Sequence, residues 1–220
     1  MSNLANSWSS KSFNNYYQES RDKFSKLYKG EQYLIKKYIK SGHKILDIGC
    51  AHGGMYKILK DKFKNISYTG LDFNKNMISY AKKTYPDAKF VLNKNNIYKN
   101  IFKNETFDVI IIFGILHLNP NWKKIILNTV ALKPKIILFD LRTANLKKNL
   151  KKKYFLDLNL NRDDKKEKIP YYLIRPMELI FFLNKCFKLF QIDDFSYSGY
   201  ASKFSNINFK INFRNIALIK

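Results

Sequence analysis

Two acidic side chains and a pair of glycines carry the strongest chemical signal in the sequence. Asp47 lies in an apolar run typical of a buried strand, and Gly49 and Gly53 follow directly in the stretch KILDIGCAHGG. Glycine adopts backbone angles that other residues avoid and lets a ligand approach the main chain closely. The helical pattern that begins near Gly54 would direct unpaired N–H groups at the same space. The stretch therefore predicts a turn that holds a nucleoside-like cofactor.

The spacing of these glycines excludes the usual dinucleotide site. In the fingerprint G-x-G-x-x-G the turn binds a pyrophosphate. Here Ala51 occupies the second glycine position, and Gly53 comes one residue too early. Asp47 would also repel a pyrophosphate across the turn. A zwitterionic sulfonium ligand is a better match, because its ammonium and sulfonium charges attract a carboxylate.

A second acid follows at the distance expected for the next strand. Residues 66–71 read as a buried strand that ends at Asp72, and 72 − 47 = 25 positions is one β-α-β step. A carboxylate at the tip of the second strand accepts both ribose hydroxyls in doubly wound nucleotide-binding folds. Phe73, directly after it, is placed to pack on an adenine face.

With these features, the chain resembles the class I S-adenosylmethionine-dependent methyltransferases over roughly residues 40–142. The resemblance implies S-adenosylmethionine as the cofactor. It also implies a doubly wound α/β fold with a seven-stranded, mainly parallel sheet that ends in an antiparallel strand pair. The matching stretches are KILDIGCAHGG at 44–54, YTGLDFNKNMISYAKK at 68–83, FVLNKNNI at 90–97, FDVIIIFGILHL at 107–118 and ALKPKIILFDLR at 131–142.

Applied to this sequence, the resemblance assigns the parts of the cofactor to three loops. The turn after the first strand holds the methionine part, the acid ending the second strand holds the ribose, and the loop after the third strand brackets adenine. That third loop departs from the family pattern, because Lys94, Asn95 and Asn96 stand where an aspartate is usual. The implied cofactor-binding residues are Asp47, Gly49, Cys50, Ala51, Gly53, Asp72, Phe73, Asn95, Asn96, Ile97 and Phe113.

The alternation of apolar strand and helix patterns predicts right-handed β-α-β crossovers and a mainly parallel sheet. Residues 1–40 are predicted to form a helical flap, with a break near Gly30, and residues 41–220 the methyltransferase domain. A long charged insert at about 143–172 is interpreted as a substrate lid, with a solvated loop as the alternative. The predicted strands are 44–48, 66–71, 88–92, 107–113, 135–140, 187–197 and 207–219, and the predicted helices are 54–63, 75–84, 121–131 and 176–185.

Methyl transfer requires mainly that acceptor, methyl group and sulfur are aligned, and it needs a base only if the acceptor starts protonated. His117, just after the fourth strand, is the candidate catalytic base, with a loop-ordering role as the alternative. His52 is expected to face solvent or the methionine carboxylate. The candidate substrate-binding residues, with core packing as the alternative for the tyrosines, are Tyr16, Tyr17, Arg21, Asp140, Arg142, Tyr171 and Tyr172.

The composition bears on the acceptor and on the cellular location. The net charge is +24 over 220 residues, but the excess is nearly all lysine and is spread over every helix. Because arginine is the better phosphate ligand, a small-molecule acceptor is favoured over RNA. The two cysteines, the polar first residues and the lack of an apolar run of about 18 residues predict a cytoplasmic protein without a membrane span. The three histidines show no metal-ligand spacing.

Two alternatives to the small-molecule enzyme stay open from the sequence. One is an RNA-directed methyltransferase with a coherent basic surface around its pocket. The other is a non-catalytic partner subunit that keeps the cofactor fold. The fourth strand is not followed by an Asn/Asp-Pro-Pro-Tyr/Phe stretch or a Pro-Cys pair, which disfavours methylation of DNA bases.

Overall fold

A computed structural model describes residues 21–93, 98, 100–145, 154–157 and 168–220. Its helices are α1 (Lys29–Tyr38), α2 (Gly54–Lys62), α3 (Lys75–Thr84), α4 (Trp122–Val130) and α5 (Pro176–Cys186), with 3₁₀ turns at Phe24–Lys26 and Leu116–Leu118. Its strands are β1 (Lys44–Ile48), β2 (Ser67–Asp72), β3 (Lys89–Leu92), β4 (Val109–Ile112), β5 (Ile136–Thr143), β6 (Tyr154–Asp157), β7 (Lys168–Tyr171), β8 (Gln191–Tyr200) and β9 (Lys210–Ile219).

The seven-stranded sheet has the order β3-β2-β1-β4-β5-β9-β8. Strands β1 to β5 pair in parallel, and β9 pairs antiparallel with both β5 and β8. The order in which strands are added to the sheet therefore reverses between β1 and β4. In doubly wound folds, ligands bind at this switch point. The predicted fold class is confirmed.

Alternate residues of the central strands fill two apolar layers on opposite faces of the sheet. Leu46, Ile110 and Phe139 pack with α4 and α5 on one face. Ile45 and Val109 pack with α1 and α2 on the other. Side chains of successive strand residues point to opposite faces, so the continuous apolar runs in the sequence are explained by a sheet covered on both sides.

The N-terminal helical pattern is interrupted earlier than predicted. Leu27 and Tyr28 have extended backbones, and Gly30 lies inside α1 instead of at a break. The helix begins here because the Glu31 carboxylate accepts the Tyr28 N–H at 3.1 Å, a bond typical of a helix start. Helix α1 buries Leu34 and Ile35 in the core.

Several predicted strand limits are wrong. Strand β4 spans Val109–Ile112 instead of 107–113, and β8 ends at Tyr200 instead of 197. Strand β5 continues to Thr143, because its partner β9 pairs with it over the full length. Strand β8 begins at Gln191 instead of 187, since Phe187 is buried at the end of α5 and its carbonyl accepts the Phe190 N–H in a turn. Strand β9 begins at Lys210 instead of 207, because Ile207 packs in a separate apolar cluster near the β6–β7 hairpin.

The charged insert contains regular structure that the sequence did not reveal. Strands β6 and β7 form an antiparallel hairpin that is a second, two-stranded sheet. The N–H of Asp157 donates to the carbonyl of Phe204 at 2.7 Å, which ties the hairpin to the loop before β9. Among the helices described, none combines the length and apolar character needed to cross a bilayer.

Candidate active site

A cavity of about 500 Å³ lies at the carboxyl ends of the parallel strands. Its walls come from the turn after β1, the end of β2 and the loop after β4. The segment Arg21–Tyr28, strand β9 and the β6–β7 hairpin close its other side. The topology therefore places the two predicted acids, the glycine turn and the candidate base around one space.

The turn after β1 is held in a left-handed conformation. Gly49 has φ of +85°, and a Cβ at this position would lie 2.7 Å from the side chain of Ile115. The N–H groups of Gly49 and Cys50 both donate to the carbonyl of Leu71, at 2.7 and 3.1 Å. The turn is therefore bound to β2 and packed against the loop after β4, and glycine is required at position 49 by both backbone angle and space.

Asp72 links this turn to the end of β2. Its Oδ2 accepts the N–H of Ala51 at 3.0 Å, and its Oδ1 accepts the N–H of Asn74 at 2.9 Å. Burial raises the pKa of Asp72, while the hydrogen bonds from Asn74 and Ala51 act in the opposite direction. The carboxylate is buried, lines the cavity and is fixed by the backbone on both of its oxygens.

Asp47 is the second buried carboxylate in the cavity wall. The hydroxyl of Tyr68 donates to its Oδ2 at 2.5 Å. Burial raises the pKa of Asp47 to about 7, against the Tyr68 hydrogen bond and the charge of Arg21, which lower it. A positively charged ligand group beside Asp47 would favour the ionised form.

The N-terminal segment lies directly on the glycine turn. A Cβ at Gly54 would be 2.4 Å from the carbonyl oxygen of Arg21, so only glycine permits this approach. The Arg21 guanidinium forms an ion pair with Glu31, which is fully buried. Arg21, which was predicted to bind the substrate, is part of the cavity wall.

The acceptor side of the cavity contains a second buried ion pair. Arg142 Nη1 donates to Asp140 Oδ2 at 2.6 Å, and Asp140 Oδ1 accepts the N–H of Gly114 at 2.6 Å. Burial alone would raise the pKa of Asp140, but the Arg142 charge together with smaller contributions, which include the Gly114 hydrogen bond and the Arg21 charge, holds that pKa below its ordinary value. Arg142 lines the cavity, whereas Asp140 lies behind it.

His117 lines the same side and is buried in a 3₁₀ turn. Its ring centroid is 4.9 Å from that of Tyr171. Burial and the charge of Arg142 lower the pKa of His117 to about 3. The imidazole is therefore neutral at physiological pH. The backbone carbonyl of His117 accepts the N–H of Tyr172 at 2.7 Å, and this bond joins the loop after β4 to the segment after β7.

The structure brings most of the predicted residues to one cavity. Those in its wall are Asp47, Gly49, Cys50, Ala51, Asp72, Phe73, Phe113, His117, Arg21, Arg142 and Tyr171. Gly53 packs beside Phe90 and is not part of the cavity wall. Tyr172 is half-buried and also lies outside the wall. Tyr16, Tyr17, Asn95, Asn96 and Ile97 lie outside the described residues.

Other residues of the site were not identified from the sequence. Tyr28 and Phe213 line the cavity and flank Arg142, and Glu31, which is not part of the wall, pairs with Arg21. The acid three positions after Tyr28 is a helix-start signal that could have placed Glu31, but no sequence pattern connects it to Arg21. The solvent-facing alternative for His52 is wrong, because the ring is buried and packs edge-on against Tyr80 at 5.2 Å.

The described residues suit a nucleoside cofactor with a cationic amino-acid end. The turn at Gly49 has no room for a Cβ, two buried carboxylates lie in the same wall, and the cavity has the volume for a ligand of this kind. No cluster of three or more metal-ligating side chains occurs within the part of the chain that the structure describes. Sheet order and site together define a Rossmann-like fold of the class I methyltransferase type.

Comparisons with known proteins agree with this class. A family model described as a methyltransferase domain matches residues 39–174, more than half of the chain. The chain therefore belongs to the methyltransferase-domain family, whose cofactor is S-adenosylmethionine.

Individual relatives match only in part. Phthiotriol/phenolphthiotriol dimycocerosates methyltransferase of Mycobacterium leprae is 34% identical over 110 residues, covering 48% of this chain and 40% of that protein. Fatty-acid O-methyltransferase of Mycolicibacterium smegmatis is 29% identical over 81 residues, covering 37% of this chain and 30% of that protein. The chain thus matches less than half of the length of these two curated relatives.

A solved structure resembles nearly the whole chain. Magnesium protoporphyrin IX methyltransferase from Synechocystis, with bound S-adenosylhomocysteine, superposes with a TM-score of 0.63 at 13% identity and covers 99% of this chain and 98% of that chain. At this identity the likeness is one of fold.

Proposed function

We propose that this protein binds S-adenosylmethionine in the cavity and transfers its methyl group to a small-molecule acceptor. The observation that carries the proposal is the pair of buried carboxylates, Asp47 and Asp72, at the ends of adjacent parallel strands beside a glycine turn. Family membership supports the cofactor. The small-molecule acceptor is supported by the names of the two curated relatives, one of which is a fatty-acid O-methyltransferase.

Each end of the cofactor has proposed partners on this chain. Asp72 would accept the ribose hydroxyls, with Phe73, 42% exposed at the cavity rim, placed for the adenine ring. Asp47 would face the ammonium group, whose charge suits a carboxylate. Gly49, Cys50 and Ala51 would bring the main chain against the methionine part. We also assign adenine contacts to Asn95, Asn96 and Ile97, as the family resemblance implies.

When bound, S-adenosylmethionine supplies a methyl group activated by its sulfonium. The remaining work of the chain is to position the acceptor and to exclude water. Arg21 and Tyr28 would cover one side of the cavity, and Leu156 and Tyr171 of the hairpin another. We propose that residues 1–40 and the insert at 143–172 act together as this cover.

His117 is proposed to orient the acceptor as a neutral imidazole. It lies in the middle of the 3₁₀ turn after β4, with Tyr171 on one side and the Arg142 charge close by. A base with a conjugate-acid pKa of about 3 is poorly matched to removing a hydroxyl proton near neutral pH. Its contribution would come from hydrogen bonding and shape.

Transfer of tritiated methyl groups from S-adenosylmethionine into a fractionated cell extract tests this function. We expect the label in the small-molecule fraction, insensitive to nuclease. Label in a nuclease-sensitive fraction, lost steeply as salt is raised, would identify an RNA-directed enzyme instead. Cofactor binding without any transfer would identify a partner subunit.

A further inference from the structure

The acceptor side of the cavity contains buried polar atoms that lack hydrogen-bond partners among the described residues. They are Arg142 Nε and His117 Nδ1. Arg142 and His117 line the cavity, with exposures of 2% and 7%. A buried polar atom without a hydrogen-bond partner is costly, so Arg142 Nε and His117 Nδ1 indicate a polar ligand at the acceptor end, as His52 Nδ1 does beside the cofactor turn.

The orientation of the Arg142 guanidinium is fixed by its neighbours. It lies 4.3 Å from the ring centroid of Phe213 and 5.3 Å from that of Tyr28. Asp140 and the carbonyl of Leu141 both accept from Nη1. Nε lacks a partner among the described residues and is therefore left for another acceptor, while the Tyr171 side chain hydrogen-bonds to the same guanidinium. A planar guanidinium edge matches a carboxylate with two parallel hydrogen bonds.

The charges at the acceptor end of the cavity suit an anion once the cofactor is bound. Two guanidiniums, Arg21 and Arg142, are paired with two carboxylates, Glu31 and Asp140, while Asp47 and Asp72 lie at the cofactor end. The sulfonium of a bound cofactor would add a positive charge next to the acceptor. An anionic acceptor would neutralise that charge, whereas a neutral or cationic acceptor would not.

Among the residues that the structure describes, the groups at this end also lack a base for a protonated acceptor. Burial lowers the pKa of His117 to about 3 and raises the pKa of Tyr171 to about 12. Asp140 is held by Arg142 and Gly114, and Asp47 is at the cofactor turn with Tyr68. A carboxylate needs no base, because it attacks as an anion and has no proton to lose.

We propose that Arg142 is the specificity residue of the acceptor site, and that the acceptor is a small carboxylic acid bound through its carboxylate and converted to a methyl ester. The inference rests on the proposed function and adds the chemical class of the acceptor. The carboxylate oxygen forms the new O–C bond while the C–S bond breaks, and the electron pair of that bond stays on sulfur. No proton is transferred, and the opposite charges of the two reactants are both lost.

Binding of three matched probes to the protein saturated with S-adenosylhomocysteine tests this inference. The probes are phenylacetate, 2-phenylethanol and 2-phenylethylamine, which share one ring and differ in the polar group. We expect phenylacetate to bind at least about tenfold more tightly than the other two, as for a charge-assisted bidentate pair. Equal binding, a preference for the alcohol or amine, or no binding of phenylacetate would overturn the inference.

A double variant separates Arg142 from general charge effects. Asp140→Asn with Arg142→Met removes the buried pair without leaving a lone charge, and we expect it to abolish the preference for phenylacetate. The matched control, Asp194→Asn with Arg214→Met, removes another arginine–aspartate pair of the same sheet and should keep the preference. If the double variant retains the preference, the inference fails. If it does not fold, the ranking of probes by the unmodified protein decides, and failure to bind S-adenosylhomocysteine at all would refute the proposed function instead.

Discussion

The N–H of Ala51 donates a 3.0 Å hydrogen bond to Asp72 Oδ2, so the acid that ends β2 holds the turn that follows β1. Ala51 is in the left-handed region, with φ of +47°. A side chain with a Cβ is strained there by about 1–2 kcal/mol. The hydrogen bond to a buried carboxylate offsets part of this cost, and it fixes the backbone beside the proposed methionine site.

Replacing Ala51 by glycine should stabilise the protein. The variant removes the left-handed strain and keeps the N–H that bonds to Asp72, so the free energy of unfolding should rise by about 0.5–1 kcal/mol. Urea denaturation measures the change. The control is Ala131→Gly at the exposed end of α4, where φ is −63°, and it should lower stability. Equal destabilisation by both variants would contradict the assignment of strain to Ala51.

Affinity for S-adenosylhomocysteine should rise with pH through the titration of Asp47. Because burial raises the pKa of Asp47 to about 7 in the free protein, the carboxyl is mostly protonated below that pH and cannot attract an ammonium group. The association constant should therefore increase by up to about tenfold per pH unit between about pH 5.5 and 7, then level off. Calorimetry in buffers of different ionisation enthalpy should show proton release. Asp47→Asn should flatten the profile, and an unchanged profile in that variant would assign the titration to another group.

His117 should stay neutral at least down to about pH 5, since burial and the Arg142 charge lower its pKa to about 3. Nitrogen-15 NMR of labelled histidine measures this directly, and His117→Gln identifies the resonance. An inflection near the ordinary histidine pKa at this resonance would show that the ring is accessible to water and restore its candidacy as a conventional general base.

The contact between Arg21 and Gly54 should hold the N-terminal segment against the glycine turn. Gly54→Ala places a methyl group 2.4 Å from the Arg21 carbonyl oxygen, so the segment must move off the turn. Trypsin should then cleave after Arg21 or Lys23 faster than in the unmodified protein. Cleavage after Lys64, in the loop between α2 and β2, provides the internal reference. Unchanged relative cleavage would mean that the segment does not depend on this contact.

The α/β core could be predicted because its local signals and its packing agree. Strand β1 and helix α3 have their predicted limits, and β2, β3 and α2 differ by about one residue. Each strand is an apolar run, and each helix that follows has one apolar face. The cofactor side of the site follows from this frame, since parallel strands bring Asp47 and Asp72 to the same sheet edge.

The acceptor side could not be predicted to the same depth because its residues meet only through long-range packing. Arg142 depends on Phe213 in β9 and Tyr28 before α1 for its position. The hairpin strands β6 and β7 are each four residues long within a charged segment, which leaves almost no periodic pattern. Asp140 and Arg142 were both predicted to bind the substrate, but only Arg142 reaches the cavity wall, and Asp140 pairs with it from behind.

Calorimetric titration of S-adenosylhomocysteine into the protein and into Asp72→Ala tests the central claim most directly. We expect saturable binding of one ligand per chain, weakened at least about tenfold in the variant, because hydrogen bonds to a charged group contribute about 1.5–3 kcal/mol. The control variant Asp87→Ala, which removes an exposed aspartate paired with Lys60, should bind like the unmodified protein. No binding by the unmodified protein, or equal affinity in Asp72→Ala, would contradict the account.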